Sequence, residues 1–436
     1  MKVLSAEHYL QEKQNKSSQT DDSHLDESVM AIISEVRQEG DKALKRMTEK
    51  FDGVKLDRIT VSEEEFLQAE SAVNQAFKTA LKTARENIEA FHKEQKEQSW
   101  FINQPGGITL GQKVTPIERV GVYIPGGKAS YPSSVLMNVI PAQLAGVNEI
   151  AITTPPDRDG KVSPYVLAAA REAGVDTVYK AGGAQAIAAL AYGTETIQNV
   201  FKIVGPGNAY VARAKKWVFG DVDIDMIAGP SEICIIADAT ANPRFVAADL
   251  LSQAEHDEAA RPLLVTTSQQ MADTVRDEIT QQTEQLERQA IIQQSLKQNG
   301  RIILAETLSE AFATANAIAP EHLQLMIQEP FVNLANITNA GAIFLGDYSP
   351  EPLGDYAAGP NHTLPTSGTA VFSSPLGVYD FVKRSSVIHY PKEALNQVSE
   401  DIIRLAEAEG LTAHGQSIKI RKDDDHASSD RQSQDS

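Results

Sequence analysis

The sequence predicts an α/β fold that contains parallel sheets. Short apolar runs alternate with helical segments through the middle of the chain, as in the strand pattern that ends at Tyr123 and the helix pattern from Ser163 to Ala173. This alternation is typical of parallel α/β units. The run from Ile233 to Ala237 is continuously apolar, which suits a strand buried on both faces. At 436 residues the chain exceeds one ordinary core, so we expect more than one domain.

Changes in pattern along the chain divide it into five predicted segments. In the first of them, Ser62 and Glu65 form a capping-box signature that opens a long helical pattern. The last segment begins at Arg421 and has no apolar residue larger than alanine, so we expect it to be disordered. The predicted segments are a helical region (1–110), a first α/β domain (111–231), a second α/β domain (232–380), a C-terminal arm (381–420) and a tail (421–436).

Composition excludes several classes of protein. Hydrophobic residues make up 42% of the chain, as in globular proteins, and no apolar run reaches the ~18 residues that a membrane span needs. The net charge of −19 argues against a nucleic-acid or anionic-membrane partner. The single cysteine, Cys234, excludes an intrachain disulfide and suits a reducing cytoplasm. Because Cys234 lies in a buried strand pattern, we expect it to pack rather than react.

The stretch 225–256 has the densest pattern of residues suited to chemistry. A Gly229-Pro230 turn leads into the apolar strand, and a helical pattern follows from about Pro243. Gln253 and His256 are three residues apart near the end of this helix, so they share one face. An amide oxygen and an imidazole that converge there can hold a metal, but a capped, solvated helix end has the same pattern and a metal site needs further ligands.

A second candidate site lies at Gly205-Pro-Gly-Asn, a turn between a predicted strand and a predicted helix. Ligands bind at the carboxyl ends of strands in open α/β sheets, and the free amides of a helix start attract phosphate. The chain lacks a G-x-G-x-x-G fingerprint, so a standard dinucleotide site does not follow from the turn alone.

Taken together, several separated segments resemble the histidinol dehydrogenase family over about residues 25–420, and the stretch 224–256 is the most specific of them. The matching segments are Tyr123-Ile-Pro-Gly-Gly-Lys, Val204-Gly-Pro-Gly-Asn-Ala-Tyr, Ile224 to His256, Pro320-Glu-His-Leu, Gly354 to Pro365 and Leu411-Thr-Ala-His.

The resemblance implies a particular architecture and assembly. The two α/β domains would be incomplete Rossmann-like domains, similar to those of aldehyde dehydrogenases. The N-terminal helical region would pack with the second of them. The C-terminal arm would reach the partner subunit of a homodimer, so that the two subunits share their active sites.

The resemblance also implies a zinc- and NAD-dependent alcohol/aldehyde dehydrogenase. It would oxidise L-histidinol through L-histidinal to L-histidine, the last steps of histidine biosynthesis, in the cytoplasm. The family's residues carry over as zinc ligands (Gln253, His256, Asp355 and His414), catalytic pair (Glu321 and His322) and NAD contacts (Tyr123, Gln185 and Asn208). Its substrate contacts carry over as Ser231, Gln253, His256, His322, Asp355, His362, Glu409 and His414.

The residue types suit these roles. A neutral imidazole at His322 can accept the hydroxyl proton of an alcohol near neutral pH, and a carboxylate at Glu321 can activate the water that adds to the aldehyde. Pro320 is compatible with the first position of a helix, but Glu321 and His322 can equally lie in a strand, where we expect the two side chains to diverge. His362 is either a substrate contact or a structural loop histidine.

Two other functions also fit parts of the pattern. In a zinc hydrolase, Glu321 would activate a metal-bound water and no nicotinamide would be needed. In a metal- or nucleotide-binding protein without catalytic activity, purified protein would show no turnover. The residue-by-residue match favours the dehydrogenase.

Overall fold

The computed structural model describes residues 1–16, 23–126 and 130–432 of the chain. These residues form two compact units. The first consists of Met1–Lys96 and Pro116–Phe381, and the second of Glu97–Thr115 and the chain from Val382 onward. Among the described residues, none of the helices combines the length and apolar character that crossing a bilayer requires.

The N-terminal part of the first unit is mainly helical. The predicted capping box is confirmed: Glu65 N donates to Ser62 Oγ at 3.3 Å, and Ser62 N donates to Glu65 Oε2 at 2.9 Å. These two bonds satisfy amides that the first turn leaves free. The elements are β1 (Lys2–Ser5), α1 (Ala6–Lys16), α2 (Ser23–Glu39), α3 (Asp41–Phe51), α4 (Glu63–Ala72) and α5 (Gln75–Lys93).

Two elements of the second unit, β2 (Trp100–Gln104) and β3 (Ile108–Pro116), come next in the chain. The chain then returns to the first unit and forms a five-stranded sheet in the order β6-β5-β4-β7-β8, with every pair parallel. Its elements are β4 (Arg119–Tyr123), α6 (Pro132–Ala145), β5 (Glu149–Thr154), α7 (Pro164–Glu172), β6 (Val178–Lys180), α8 (Gly183–Tyr192), β7 (Lys202–Val204), α9 (Ala209–Val218) and β8 (Asp223–Ile224).

The second sheet of the first unit has six strands in the order β1-β11-β10-β9-β12-β13. Strand β9 lies between two partners and is buried along its whole length, with Cys234 fully enclosed as expected. The elements are β9 (Glu232–Ala237), α10 (Pro243–Ala254), β10 (Arg261–Thr266), α11 (Gln269–Thr283), α12 (Gln289–Gln298), β11 (Arg301–Leu304), α13 (Leu308–Ile318), β12 (His322–Met326), β13 (Ala342–Leu345) and α14 (Glu351–Tyr356). The predicted α/β class with parallel sheets is confirmed.

The N-terminal helical region does not pack as a whole with the second α/β domain. Its first two elements pack against that domain's sheet, since β1 pairs with β11 and α1 contacts α13, and Asn87 of α5 donates to the carbonyl oxygen of Ala357. Helices α2 and α3 pack against α8, α4 packs against α7, and α5 packs against α6, so they cover the first sheet instead. Their apolar faces join the first sheet's core through Val29, Leu44 and Phe66. An amphipathic pattern predicts that a helix has a buried face but not which sheet that face covers.

The second unit contains a three-stranded sheet in the order β14-β3-β2. Its remaining elements are β14 (Val382–His389), α15 (Lys392–Ala408) and α16 (Thr412–Gln432). Residues 97–115 belong to this unit, so the predicted boundary at residue 110 falls within β3. The predicted tail also differs: the backbone is helical as far as Gln432, since no proline or glycine follows Gly415 to end the helix. Residues 433–436 of that prediction lie outside the described residues.

Candidate active site

The candidate catalytic and metal-binding side chains of the first unit gather at the amino edge of its second sheet. His322 is the first residue of β12, and Glu232 is the first residue of the neighbouring strand β9. Helix α10 follows β9 and returns to this edge, so that its last turn brings Gln253 there. The helix ends at Ala254, so His256 lies in the turn beyond it rather than on the predicted helical face. Gln253 Nε2 and His256 Nδ1 are nevertheless 3.4 Å apart.

Glu321 and His322 mark the start of a strand rather than of a helix. Glu321 precedes β12, and its Oε2 accepts a hydrogen bond of 2.8 Å from Glu232 N. The same oxygen lies 3.9 Å from His322 Nδ1. Successive side chains of a strand point to opposite faces, but Glu321 precedes the first residue of β12. Its side chain can therefore stay close to that of His322.

The contacts of His322 define which ring nitrogen can act as a base. Its Nδ1 lies 2.9 Å from the carbonyl oxygen of Glu232 and 3.1 Å from Gln253 Oε1. Because both neighbours are acceptors, the neutral ring carries its proton on Nδ1 and has its lone pair on Nε2. Burial lowers the pKa of His322 to about 4, so that the neutral imidazole predominates near neutral pH.

The Glu321 carboxyl is also buried, with 7% of the residue exposed. Burial raises its pKa well above the usual value, and the nearby carboxyl groups of Glu232, Asp355 and Glu351 raise it further. The hydrogen bond from Glu232 N has the opposite effect, because it stabilises the ionised form. A carboxylate in this environment binds a proton more strongly than one in water, which suits a general base.

A group of three side chains beside this pair has the arrangement of a metal site. His256, Glu351 and Asp355 each present one ligand atom, and these atoms lie within 4.8 Å of one another. Imidazole and carboxylate groups are common zinc ligands. The structure thus brings together three of the residues predicted to bind zinc, namely Gln253, His256 and Asp355.

Glu351 was not found by the sequence analysis. It lies four residues before Asp355 in α14, so the two carboxyl groups share one helical face. That spacing, after the Pro350 that starts the helix, is the only signal in the sequence that could have identified it. Burial raises the pKa of Glu351 to about 9, and the neighbouring Asp355 raises it as well.

His362 links this site to the first α/β domain. Its Nδ1 lies 3.1 Å from the carbonyl oxygen of Asp355 and 3.6 Å from Asp355 Oδ1, and Nε2 lies 3.1 Å from Ser134 Oγ in α6. A neutral His362 therefore donates a hydrogen bond from Nδ1 to Asp355 O and accepts one at Nε2 from the Ser134 hydroxyl. Ser231, predicted to contact substrate, immediately precedes β9 and the Glu232 amide that binds Glu321.

The predicted NAD-binding residues lie at the opposite, carboxyl edge of the first sheet. Tyr123 ends β4 and is buried, and its hydroxyl accepts a 3.1 Å hydrogen bond from Gly183 N. Burial raises the pKa of Tyr123 to about 12. Gln185 lies in the first turn of α8 and is buried, whereas Asn208 is exposed. Asn208 Oδ1 accepts from Tyr210 N at 3.0 Å and so caps α9.

The turn that precedes α9 is held by a buried ion pair. Sequence reasoning did not predict this pair. Lys215 and Asp225 pair within the core, with 2% and 1% of their side chains exposed. Lys215 Nζ also donates to the carbonyl oxygen of Gly205 at 2.9 Å, and Asp225 Oδ2 accepts from Gly205 N at 2.7 Å. Both polar groups of the Gly205 backbone are therefore held by one buried pair, which fixes the start of the Gly205-Pro206-Gly207-Asn208 turn.

We expect Gly205→Ala to destabilise the protein more than Gly220→Ala. Both glycines have φ of 109°, a conformation that costs other residues about 1–3 kcal/mol. An added Cβ at Gly205 would also overlap the carbonyl oxygen of Tyr123, whereas nothing lies within 4 Å of one at Gly220. Urea unfolding of the two variants measures the difference as a free energy of unfolding. Equal losses would mean that the backbone of Tyr123 yields and that the turn is less tightly held than its contacts indicate.

The remaining two predicted site residues lie in the second unit. Glu409 is the residue after the last turn of α15, and His414 lies in the first turn of α16. Both side chains are exposed.

Parallel sheets, with a buried carboxyl and imidazole beside three side chains arranged like a metal site, are typical of an α/β enzyme. Comparison with known proteins identifies this enzyme as an oxidoreductase. The model of the family described as Histidinol dehydrogenase matches residues 15–422, and the chain belongs to the histidinol dehydrogenase family.

Individual relatives agree with this assignment. The chain is 56% identical to the histidinol dehydrogenase of Oceanobacillus iheyensis over 427 residues, which cover 98% of this chain and 100% of the relative. It is 55% identical to that of Clostridium acetobutylicum over 412 residues, covering 94% and 95%. The crystal structure of histidinol dehydrogenase from Elizabethkingia anophelis matches with a TM-score of 0.88 and 42% identity, covering 93% of each chain.

Proposed function

We propose that this oxidoreductase converts L-histidinol to L-histidinal and then to L-histidine, with two NAD⁺ consumed and one zinc ion at each site. The observation that carries the proposal is the hydrogen bonding of His322. Its Nδ1 donates a hydrogen bond to the carbonyl oxygen of Glu232, so Nε2 is free to act as a base. The Glu321 carboxyl lies beside the His322 ring. Two successive oxidations need both groups, one for the alcohol proton and one for the water that adds to the aldehyde.

The side chains present fit a zinc ion. His256 and Asp355 already converge, and the buried Gln253 adjoins His256 at 3.4 Å. Gln253 Oε1 lies 3.1 Å from His322 Nδ1, and an amide oxygen has a second lone pair that would be available to an ion. Gln253, His256 and Asp355 of one subunit would hold the metal together with His414 of the other.

The carboxyl edge of the first sheet fits NAD⁺. Gly205 and Gly183 have positive φ, which favours glycine. A Cβ at Gly205 would also overlap the carbonyl oxygen of Tyr123, so the backbone there is accessible to a ligand only because it carries no side chain. Exposed Asn208 at the start of α9 supports a contact with the cofactor, because helix starts favour phosphate groups. Tyr123 and Gln185 would line the same site from beneath the turn.

In the first oxidation, His322 Nε2 would accept the proton of the substrate hydroxyl. In the second, the Glu321 carboxylate would take a proton from the water that adds to the aldehyde carbon. NAD⁺ would supply the hydride acceptor, and a zinc ion, held by Gln253, His256 and Asp355 with His414 of the other subunit, would supply a redox-inert positive charge for the nitrogens of the substrate. Ser231 and His362 would contact the substrate from the turn before β9 and from the segment after α14.

A homodimer with shared sites is the assembly that we propose, in the cytoplasm. The second unit exposes several large apolar side chains, which in a folded protein can mark an interface. They include Trp100, Phe101, Ile102, Ile388, Leu405, Leu411 and Ile420. Covering them with a second copy of the chain would carry Glu409 and His414 into the partner's site, and their exposure in the single chain supports this role.

We expect complete turnover of limiting L-histidinol to yield two NADH per substrate and L-histidine as product. Both proton-accepting groups lie at one site, so the aldehyde need not leave between steps. Absorbance at the nicotinamide band and chromatography of the product measure this ratio, with and without a chelator. One NADH per substrate with free histidinal in solution would contradict the proposal, and so would product formation that needs no nicotinamide.

A further inference from the structure

We propose that Glu232 is a positioning residue for the proposed catalytic pair, Glu321 and His322, and that its ion pair with Arg261 holds it in place. This role rests on the proposed function, because it concerns how the two proton acceptors are oriented. Neither Glu232 nor Arg261 is among the site residues that the family resemblance implies.

The backbone of Glu232 contacts both members of the pair. Its amide nitrogen donates to Glu321 Oε2 at 2.8 Å, and its carbonyl oxygen accepts from His322 Nδ1 at 2.9 Å. The first bond favours the ionised form of the carboxyl group, and the second determines which ring nitrogen carries the proton. A displacement of this one residue would therefore disturb the charge state of Glu321 and the orientation of His322 together.

Strand β10 holds Glu232 from the side opposite to the pair. Strand β9 lies between β10 and β12, and Arg261 of β10 is the register partner of Glu232. The guanidinium of Arg261 donates to Glu232 Oε1 at 2.9 Å, and its backbone amide donates to the carbonyl oxygen of Ser231 at 3.0 Å. That carbonyl belongs to the same planar peptide unit as the Glu232 amide. Arg261 therefore fixes the direction of the N–H group that binds Glu321.

Two strained backbone positions lie at the segments that meet at Glu232. Among the described residues, Ala319 and Ser367 are the only ones other than glycine with positive φ, at 50° and 56°. Ala319 immediately precedes Pro320-Glu321, and the backbone amide of Ser367 contacts the Glu232 carboxyl. Residues with a side chain rarely adopt this conformation, and it persists where surrounding contacts impose it, commonly at active sites.

The charge on the Glu232 side chain indicates a role in position more than in stability. The residue is 4% exposed, and burial raises its pKa, whereas the positive charges of Arg261 and Lys13 oppose that rise. An ion pair that loses water gains little net stability, and a well-packed apolar side chain would stabilise the strand as well. What the pair adds is a fixed direction, because a guanidinium and a carboxylate bond in few geometries.

The test compares Arg261→Gln with a matched control, Asp223→Asn, in the full-length, zinc-loaded protein. Asp223 of β8 and Lys202 of β7 are register partners on adjacent parallel strands of the other sheet, and Lys202 Nζ donates to Asp223 Oδ2 at 2.8 Å. In each pair one side chain is almost enclosed, with 5% exposed for Glu232 and 6% for Lys202. Its partner is 47% exposed for Arg261 and 48% for Asp223. Each substitution therefore neutralises the exposed partner of a similar pair.

We expect Arg261→Gln to slow both oxidations by roughly 10–100-fold, because misplacing a reacting group has an effect of this size. The KM for NAD⁺ and the zinc content should not change. Arg261→Lys, which keeps a positive charge, should recover part of the rate, and Asp223→Asn should leave both rates unchanged. Single-turnover NADH formation from supplied histidinol and supplied histidinal gives the two rates, and urea unfolding compares the stability of the variants.

A double variant shows whether Arg261 acts through His322. In a His322→Ala background, Arg261→Gln should cause little further loss in the first oxidation, because groups that act through one another are not additive. Unchanged rates in Arg261→Gln, a full further loss in the double variant, or equal slowing in Asp223→Asn would each overturn the inference and leave the proposed function standing. Full activity in His322→Ala, or no NADH from histidinol with the unsubstituted protein, would instead overturn the proposed function on which the inference rests.

Discussion

Replacing His322 with alanine should slow both oxidations, whereas Glu321→Gln should slow the second far more than the first. The Nε2 atom of His322 is the base that the arrangement of hydrogen bonds leaves free, because Nδ1 faces the carbonyl oxygen of Glu232 at 2.9 Å. Loss of a positioned acid–base group costs ~10²–10⁴-fold in rate. Single-turnover NADH formation, measured separately from supplied histidinol and supplied histidinal, distinguishes the two steps.

Glu321→Gln is suited to this test because the fold should tolerate it. A glutamine oxygen can still accept the hydrogen bond that Glu232 N donates to Glu321 Oε2 at 2.8 Å, so the start of β12 should remain in place. Circular dichroism and metal content check this. If Glu321→Gln slows both oxidations as much as His322→Ala does, the carboxyl acts mainly by positioning His322. Small, equal losses in both variants would mean that the pair is misassigned.

Sequence patterns predicted the elements of this fold better than their packing. Continuous apolar runs such as Ile233–Ala237 identified buried parallel strands, because only a strand covered on both faces is apolar throughout. Helices α2–α5 were recognised as helices, yet their packing against the first sheet was missed, since an amphipathic face fits either sheet. The strands β2 and β3 were missed as part of the second unit because their partner, β14, lies far along the chain.

The candidate site shows a similar division between local and distant information. The turn at Gly205 lies at the carboxyl edge of its sheet, where a general rule for α/β folds expects ligands. The proposed catalytic pair lies at the amino edge of the other sheet, where that rule gives no guidance, and the family resemblance was the basis for predicting it. Glu351 and the Lys215–Asp225 pair escaped notice because their importance depends on burial and on contacts between side chains. These are properties of the folded chain that residue spacing does not encode.

Mixing inactive His414→Ala protein with inactive His256→Ala protein should restore activity after the subunits dissociate and reassociate. His256 lies beside Asp355 in the first unit, whereas His414 is exposed at the start of α16 in the second. If His414 enters the partner's site, each heterodimer has one site with both lesions and one site with none. In a dimer with two-fold symmetry the exchange is reciprocal, so activity should approach that of one intact site per heterodimer.

The matched control for this experiment mixes His256→Ala with Asp355→Ala. Both of these residues belong to one chain's ligand group, so each site of that heterodimer carries one lesion and no activity should return. Differently tagged subunits and native mass spectrometry establish that heterodimers form in both mixtures. Recovery in the first mixture and not in the second identifies His414 as the partner's contribution. Heterodimers of the first kind that form but remain inactive would mean that His414 acts within its own chain, and the exposed apolar side chains of the second unit would then need another explanation.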